Sequence, residues 1–328
     1  MTRTVVSPRE AESGREADGR PCVVHLVREA NGPQPLREFL DTYRRHDAGV
    51  DHRLILLFKG FADAQAAEPH RRLADGLAIE ELFVSDQGFD LTAYRRAADA
   101  LRATRYCFLN SHSRIQAGGW LAHLDGALVG DRVGIAGASG SWASILSFAL
   151  FNLGLPGVYS SVFDGRRETL RQFREIDRDR VGKTDSTSSR RQLLNTAIAL
   201  GPLLAGFRRF PAHHIRTNAF AIRHEVLVRA LNPTGRSKKE ALQLESGRHS
   251  VTCTVEHMGL RAVVVDRSGR SYEPTSWDAS ETFWQGAQGG LLVADNQTEQ
   301  YRLGDARRKR LLARFAWGED ARPSREPV

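Results

Sequence analysis

Short apolar runs alternate with helix-period segments over the first 140 residues, and this alternation is the feature that most constrains the fold. The runs lie at Val23–Val27, Arg53–Phe58, Glu80–Val84, Tyr106–Leu109 and Arg132–Ala136. The second run, RLILLF, is typical of a strand that is covered on both faces. Strand–helix–strand order predicts parallel pairing with right-handed crossovers. We therefore predict an α/β fold with a mostly parallel sheet flanked by helices.

The segments between and after the strands have the periodicity of helices. Apolar residues at Leu91, Tyr94, Ala98 and Leu101 are spaced as one buried stripe. The other predicted helices are Pro33–Arg45, Ala62–Gly76, Trp120–Leu128, Asp164–Arg180, Glu225–Ala230, Lys238–Met258 and Asp305–Trp317.

A chain of 328 residues is long enough for one large α/β domain. It has no internal repeat, and we predict a single catalytic domain over residues 21–317. Within it, residues 148–202 are expected to be a helical insertion and residues 267–317 a C-terminal extension. Residues 1–20 and 318–328 are predicted to be a disordered lead and tail.

The net charge of +8 favours acidic partners, such as nucleotide phosphates, anionic lipid head groups or nucleic acid. Only five of the 47 basic residues are lysines, and the arginines are spread along the chain rather than clustered. Because there is no basic stripe interleaved with aromatic residues, we expect no nucleic-acid partner.

The three cysteines, Cys22, Cys107 and Cys253, are far apart and have no metal-ligand spacing, which fits a reducing, cytoplasmic compartment. The charged N-terminus lacks the apolar core of a signal peptide. No apolar run reaches the roughly 18 residues of a spanning helix, so any membrane association is expected to be peripheral, at the inner membrane face.

Polar residues follow the predicted strands on the edge where open parallel sheets bind ligands. Asp86, Gly88 and Asp90 come after the third run, and Asn110 and His112 come after the fourth. Glycine permits close approach of a ligand to the backbone. Asp90 has a structural alternative as a helix N-cap, and His112 has one as an ordinary loop histidine.

A second polar group comes later in the chain, at His213, His214, Arg216 and Asn218. Arg28, Arg114 and Arg216 are candidates for bidentate contacts with phosphate. Two further segments leave alternatives open. Gly137–Ser141 is either an anion site at a helix N-terminus or a capped turn, and Asp295–Gln297 either bonds a ligand or forms a turn.

Three short motifs resemble GT-A-type glycosyltransferases. They are Gly88-Phe89-Asp90-Leu91, Phe108-Leu109-Asn110-Ser111 and the segment His214–Arg223. The closer resemblance is to bacterial polysaccharide enzymes related to rhamnan synthesis protein F, which are similar to family-two glycosyltransferases. This implies transfer of a sugar from a nucleotide-sugar donor to a saccharide or lipid-linked acceptor, in surface polysaccharide or glycolipid synthesis.

The resemblance also implies the donor-binding residues and a Mn²⁺ or Mg²⁺ cofactor. The acidic metal pair of the family is replaced here by Asn110-Ser111-His112, a poor set for a hard cation, and His112 is the candidate ligand. The implied donor-binding residues are Arg28, Asp86, Gly88, Asp90, Asn110, His112, His214, Arg216 and Asn218.

Glu245 is the candidate catalytic base. Its segment resembles a helix start of inverting glycosyltransferases in which an acidic residue faces the acceptor. The alternative is a surface glutamate that pairs with Arg248. The altered metal motif leaves a second function open, a catalytically altered relative that acts as a nucleotide-sugar-binding or scaffold subunit.

Overall fold

A computed structural model describes residues 4–5, 19–101, 103–130, 132–181, 200–232 and 237–318. The strands in these ranges are β1 (Thr4–Val5), β2 (Cys22–Arg28), β3 (Arg53–Lys59), β4 (Ile79–Val84), β5 (Arg105–Leu109), β6 (Arg114–Ile115), β7 (Val133–Gly137), β8 (Gly140–Ser141), β9 (His214–Ile215), β10 (Ala219–Arg223), β11 (Arg261–Val265), β12 (Ser271–Tyr272) and β13 (Val293–Ala294).

The helices of the same ranges are α1 (Gln34–Arg45), α2 (Glu68–Arg71), α3 (Asp90–Leu101), α4 (Trp120–Val129), α5 (Ile145–Leu153), α6 (Val158–Val162), α7 (Arg166–Val181), α8 (Leu200–Gly206), α9 (His224–Ala230), α10 (Lys238–Ser246), α11 (Val251–His257), α12 (Asn296–Leu303) and α13 (Ala306–Trp317). Three 3-10 turns lie at Glu29–Asn31, Arg72–Ala74 and Pro274–Ala279.

Nine strands form the main sheet, in the order β1-β4-β3-β2-β5-β10-β7-β11-β12. The first five pair in parallel, and β7 pairs in parallel with β11. Strand β10 is antiparallel to both of its neighbours, and β12 is antiparallel to β11. The prediction of a mostly parallel α/β sheet flanked by helices is confirmed.

The order of the parallel strands creates a topological switch point. The chain moves outward from β2 to β3 and β4, and then returns to place β5 on the other side of β2. The connections therefore leave β2 and β5 in opposite directions, which opens a crevice at the carboxyl ends of these two strands. The loops after Arg28 and Leu109 border that crevice.

Two apolar layers cover the sheet, because successive side chains of a strand point to opposite faces. Val24 and Leu26 of β2 belong to one layer, together with buried residues of α3, α9 and α11. Val23 and Val27 belong to the other, together with buried residues of α1 and α4.

Two predicted helices are wrong in extent. The helix predicted over Ala62–Gly76 is only α2 and the following 3-10 turn, because Pro69 fits only the first turn of a helix. The helix predicted over Lys238–Met258 is broken at Gly247. A Cβ there would lie 2.6 Å from the carbonyl oxygen of Gln243, and Ser250 then caps a new helix. The break leaves Glu245 in the last turn of α10.

The ends of the chain are only partly described. Thr4–Val5, inside the predicted disordered lead, pairs in parallel with β4. The rest of the lead up to residue 18, residues 319–328 of the predicted tail and residues 182–199 of the predicted insertion lie outside the described residues. Within the described part, no helix combines the length and the apolar character needed to cross a bilayer.

Candidate active site

A polar pocket of about 370 Å³ lies at the switch point, a size in the range of small-molecule sites. Two walls enclose it. The strand-end wall consists of residues at or after the ends of β2, β4 and β5, namely Arg28, Asn31, Asp90, Asn110, Ser111 and His112. The return wall consists of residues from later segments, namely His214–Asn218, Glu245, Ser246 and Asp295–Gln297.

The pocket contains Glu245 and all but two of the residues predicted to bind a donor. The exceptions are Asp86 and Gly88, which do not line it. The exposed Asp86 carboxylate is instead 2.5 Å from Nζ of Lys59, which is 1 % exposed. Gly88 has φ of +79°, and a Cβ there would lie 2.8 Å from Thr92. The glycine therefore shapes the turn into α3.

Arg28 and Ser111, both on the strand-end wall, have buried polar atoms without a hydrogen-bond partner in the described structure. They are Nε of Arg28, which ends β2, and Oγ of Ser111, which lies in the loop after β5. Ser111 is only 5 % exposed. Because buried polar groups are nearly always hydrogen-bonded, these two atoms are suited to a ligand.

The Asn110 side chain, in contrast, holds its own loop together. Its Oδ1 accepts hydrogen bonds from the backbone N–H of His112 at 3.0 Å and from Oγ of Ser113 at 3.1 Å. Its backbone N–H donates to the carbonyl oxygen of Asn218, which joins the two walls. Oδ1 of Asn110 is thus already engaged by its own loop.

Burial disfavours the charged form of two histidines, His112 on the strand-end wall and His25 within β2. Burial lowers the pKa of His112, against the opposing effect of carboxylates that include Asp295. Behind it, burial lowers the pKa of His25 to about 3. The His25 ring is stacked on Phe39 with centroids 3.8 Å apart, and neither ring nitrogen has a hydrogen-bond partner in the described structure.

Arg216 is the centre of the return wall, and it is fixed from several sides. Its guanidinium donates to Asp295 at 2.6 Å, to Gln297 at 3.0 Å and to Ser139 at 3.1 Å. It also lies 3.9 Å above the ring of Phe283. Burial acts to raise the pKa of Asp295, but Arg216 and the backbone N–H of α12 outweigh it and hold this pKa below its usual value.

The loop Gly137–Ser141 supports this arrangement from beneath and does not line the pocket. Strand β8 pairs with β9, and a Cβ on Gly140 would lie 2.6 Å from Trp277. Oγ of Ser139 donates to Oδ1 of Asn218 at 2.9 Å. The cap of α5 is Ser144, which neither alternative for this loop anticipated. The loop therefore packs against Trp277 and fixes Asn218.

Asp90 and Glu245 place two acids in the pocket, one on each wall. Burial, followed by the charge of Asp90, raises the pKa of Glu245 to about 7, with Arg216 opposing. Burial also raises the pKa of Asp90, with Arg28 as the first opposing cation. Asp90 is the first residue of α3. The pocket thus holds a carboxyl group that titrates near neutral pH.

Tyr94 is fully buried and does not line the pocket, but its hydroxyl is a polar group that the sequence did not indicate. Its hydroxyl is buried without a hydrogen-bond partner in the described structure, one helical turn after Asp90. Burial, then the charges of Asp90 and Glu245, raise the pKa of this phenol. The apolar stripe that places Tyr94 in the core says nothing about its hydroxyl. Asn31 was also missed, although its position after β2 was a usable signal.

The possible metal ligands of this site do not fit the divalent cation that the motif resemblance implies. Within the described ranges, no three or more His, Cys, Asp or Glu side chains are grouped so as to hold a metal. Oδ1 of Asn110 already accepts two hydrogen bonds, and the positive charge of Arg114 acts on His112. Mn²⁺ and Mg²⁺ prefer several free oxygen ligands, which this loop does not offer.

Comparisons with known proteins give similarity only at the level of structure. The sequence matches no protein-family model and no curated protein. The mannosyltransferase PcManGT from Pyrobaculum calidifontis, solved with GDP-Man and Mn²⁺, is 13 % identical with a TM-score of 0.41, over 84 % of this chain and 65 % of its own.

Two further solved structures are similar to parts of the chain. The bifunctional glycosyltransferase WbbM, solved without ligands, is 9 % identical with a TM-score of 0.36, over 74 % of this chain and 38 % of its own. GalNAc-T7, solved with UDP, GalNAc and Mn²⁺, is 13 % identical with a TM-score of 0.29, over 37 % of this chain and 23 % of its own. This chain spans less than two thirds of the length of each.

Proposed function

We propose that the protein is a glycosyltransferase that moves a sugar from a nucleotide-sugar donor to a saccharide or lipid-linked acceptor. The observation that carries this proposal is the composition of one pocket. It joins two arginines, Arg28 and Arg216, with two carboxyl groups, Asp90 and Glu245, at the switch point of the sheet. Sugar transfer needs cations for the leaving diphosphate and a base for the acceptor hydroxyl, and this pocket offers both.

Glu245 is the proposed base. With a pKa of about 7, it is substantially ionised at neutral pH and is still basic enough to accept a proton in the transition state. It takes the proton of the acceptor hydroxyl as that oxygen attacks the anomeric carbon. The bond from this carbon to the diphosphate breaks, and the leaving phosphate oxygen carries away the electron pair.

Asp90 is proposed to position the donor by accepting hydrogen bonds from sugar or ribose hydroxyls. Its negative charge also helps to raise the pKa of Glu245. Arg216 is fixed in the pocket by its ion pair with Asp295, which offsets much of its charge, so Arg28 is the main cation proposed for the diphosphate. The polysaccharide or glycolipid pathway, the cytoplasmic location and the peripheral position at a membrane remain predictions that rest on sequence.

The test is a transfer assay with a panel of nucleotide sugars and saccharide or glycolipid acceptors. We expect Glu245→Gln to lower turnover about 10²–10⁴-fold, the usual contribution of a general base, while donor binding is kept. Glu240→Gln is the matched control on the same helix, since glutamine preserves the capping box with Ser237. It should leave turnover unchanged.

Two different outcomes would contradict the proposed glycosyl transfer. If no nucleotide sugar raises the melting temperature and none is consumed, the proposal is wrong. If donors bind but the parent protein transfers no sugar to any acceptor in the panel, a nucleotide-sugar-binding or scaffold subunit is the better description.

A further inference from the structure

We propose that Arg28 and Ser111 form a binding site for the donor diphosphate that works without a divalent cation. The inference rests on the proposed glycosyl transfer and adds to it how the charge of the leaving group is neutralised. The motif resemblance implies a different arrangement, in which a divalent cation would be held at this edge of the sheet.

Arg28 is positioned for this role by the sheet. It is the last residue of β2, directly at the switch point, and it lines the pocket. Its Nε is buried and bonds nothing in the described structure, whereas Arg216 across the pocket donates to three side chains. A guanidinium with a free Nε–H can bind phosphate oxygens with two parallel hydrogen bonds.

Ser111 supplies a second donor from the neighbouring strand end. It lies two residues after the end of β5, which pairs in parallel with β2, so Ser111 and Arg28 lie near the ends of adjacent strands. Its side chain is more than nine-tenths buried and lines the pocket, and its Oγ has no partner in the described structure. A buried hydroxyl left unpaired is costly, so a ligand oxygen that accepts from it is favoured.

Arg28 and Lys59 place two positive charges at this edge of the sheet, and Lys59 is paired with Asp86. The field of Arg28 reaches the loop after β4, where it acts to lower the pKa values of both Asp86 and Asp90. Lys59, at the end of β3, acts on the same two carboxyl groups. Cations thus end two of the strands at this edge, while Oδ1 of Asn110 is occupied by its own loop.

The experiment is calorimetric titration of the full-length protein with UDP and GDP, in buffer with EDTA and in buffer with Mn²⁺. We expect at least one of these nucleotides to bind with dissociation constants that agree within about twofold in the two buffers. Arg28→Ala should weaken binding about 10- to 100-fold, as expected for hydrogen bonds to a charged group. The affinity of Arg28→Lys should lie between those of the parent and Arg28→Ala, because lysine keeps the positive charge but cannot donate two parallel hydrogen bonds.

Further titrations test whether the protein recognises the diphosphate itself rather than the rest of the nucleotide. Ser111→Ala should weaken binding about tenfold or more, because its hydroxyl donates to a charged phosphate oxygen. Inorganic pyrophosphate should compete with the nucleotide in the parent protein and compete less well in Arg28→Ala. Arg37→Ala, at an exposed position of α1 outside the pocket, is the charge-matched control and should bind as the parent does.

Three results would overturn the inference. Binding that EDTA abolishes and Mn²⁺ restores would show a metal-dependent site, and it would leave the proposed glycosyl transfer standing. Unchanged affinity in a folded Arg28→Ala variant would remove Arg28 from the site, again without touching the proposed function. Absence of binding by any nucleoside diphosphate or nucleotide sugar in either buffer would end both.

Discussion

The two walls of the pocket differ in how their polar groups are satisfied. On the strand-end wall, Arg28 and Ser111 keep buried polar atoms without partners in the described structure. On the return wall, the comparable cation Arg216 is 9 % exposed and bonds Asp295, Gln297 and Ser139. The strand-end wall therefore has polar groups available to bind a ligand, whereas the polar groups of the return wall bond one another and fix that wall.

This difference has a physical basis in the elements that supply each wall. The strand-end wall consists of loops that directly continue parallel strands, so the sheet itself fixes their backbone. The return wall consists of segments from residues 214 to 297 that must be held together by side chains. A buried ion pair with a capped helix, Asp295 at the start of α12, performs that task.

The largest expected effect is on the return wall. Asp295→Ala should lower the free energy of unfolding by about 3–5 kcal/mol, because it leaves the charge of Arg216 buried and unpaired. The difference from the parent should narrow as the pH falls through the lowered pKa of Asp295, since protonation removes the ion pair in the parent as well. Urea denaturation at several pH values measures both effects.

The matched control is Asp305→Ala. Asp305 also caps a helix, α13, but it is exposed and forms no buried ion pair. Its loss should cost only about 0.5–2 kcal/mol, the usual value of an N-cap. If both variants lose the same stability, the ion pair with Arg216 does not hold the wall.

A second test uses Glu245, the titrating group of the return wall. Its pKa rises from 4.5 unfolded to about 7 folded, so its favourable contribution is complete below pH 4.5 and is lost as the pH rises through 7. Glu245→Gln removes this loss. The variant should therefore gain melting temperature relative to the parent by a few degrees more at pH 8 than at pH 5.

Thermal melts of Glu245→Gln and Glu240→Gln at the two pH values provide the comparison. Glu240 lies in the first turn of the same helix and should show no such pH-dependent difference. An equal shift at both pH values for Glu245→Gln would contradict the raised pKa.

The smallest expected effect is on the strand-end wall. Arg28→Met should change the free energy of unfolding by no more than about 0.5 kcal/mol, because no hydrogen bond of Nε is lost and the apolar stem is kept. Urea denaturation of Arg28→Met, measured together with the parent and Asp295→Ala, checks this. A loss of about 2 kcal/mol or more would show that Arg28 is structural, and the contrast between the walls would disappear.

Local sequence pattern indicated most of the strand-end wall, although it missed Asn31. Arg28, Asp90, Asn110 and His112 were predicted to share one edge, and they line one pocket. The same rule also included Asp86, which the structure turns toward Lys59. A rule about strand ends locates an edge of the sheet, but it does not determine which side chains of a loop face the crevice.

The return wall was harder to predict because its contacts are long-range. Glu245 was a candidate only through resemblance, and its position depends on a helix break at Gly247 that the periodicity did not reveal. The pairing of Arg216 with Asp295 spans 79 residues along the chain. Periodicity reports on neighbours within a few turns and carries no information about such a contact.

The sequence by itself determined the class of sheet, the edge of the pocket and the residue types on its first wall, because strand period and chain order act locally. Only the tertiary structure decided which of two pocket arginines is held by Asp295 and which has an Nε–H without a partner in the described structure. It also decided that Asp90 and Glu245 share one pocket. Their pKa values were likewise beyond the sequence, because burial and neighbouring charge, which set these values, exist only after the chain has folded.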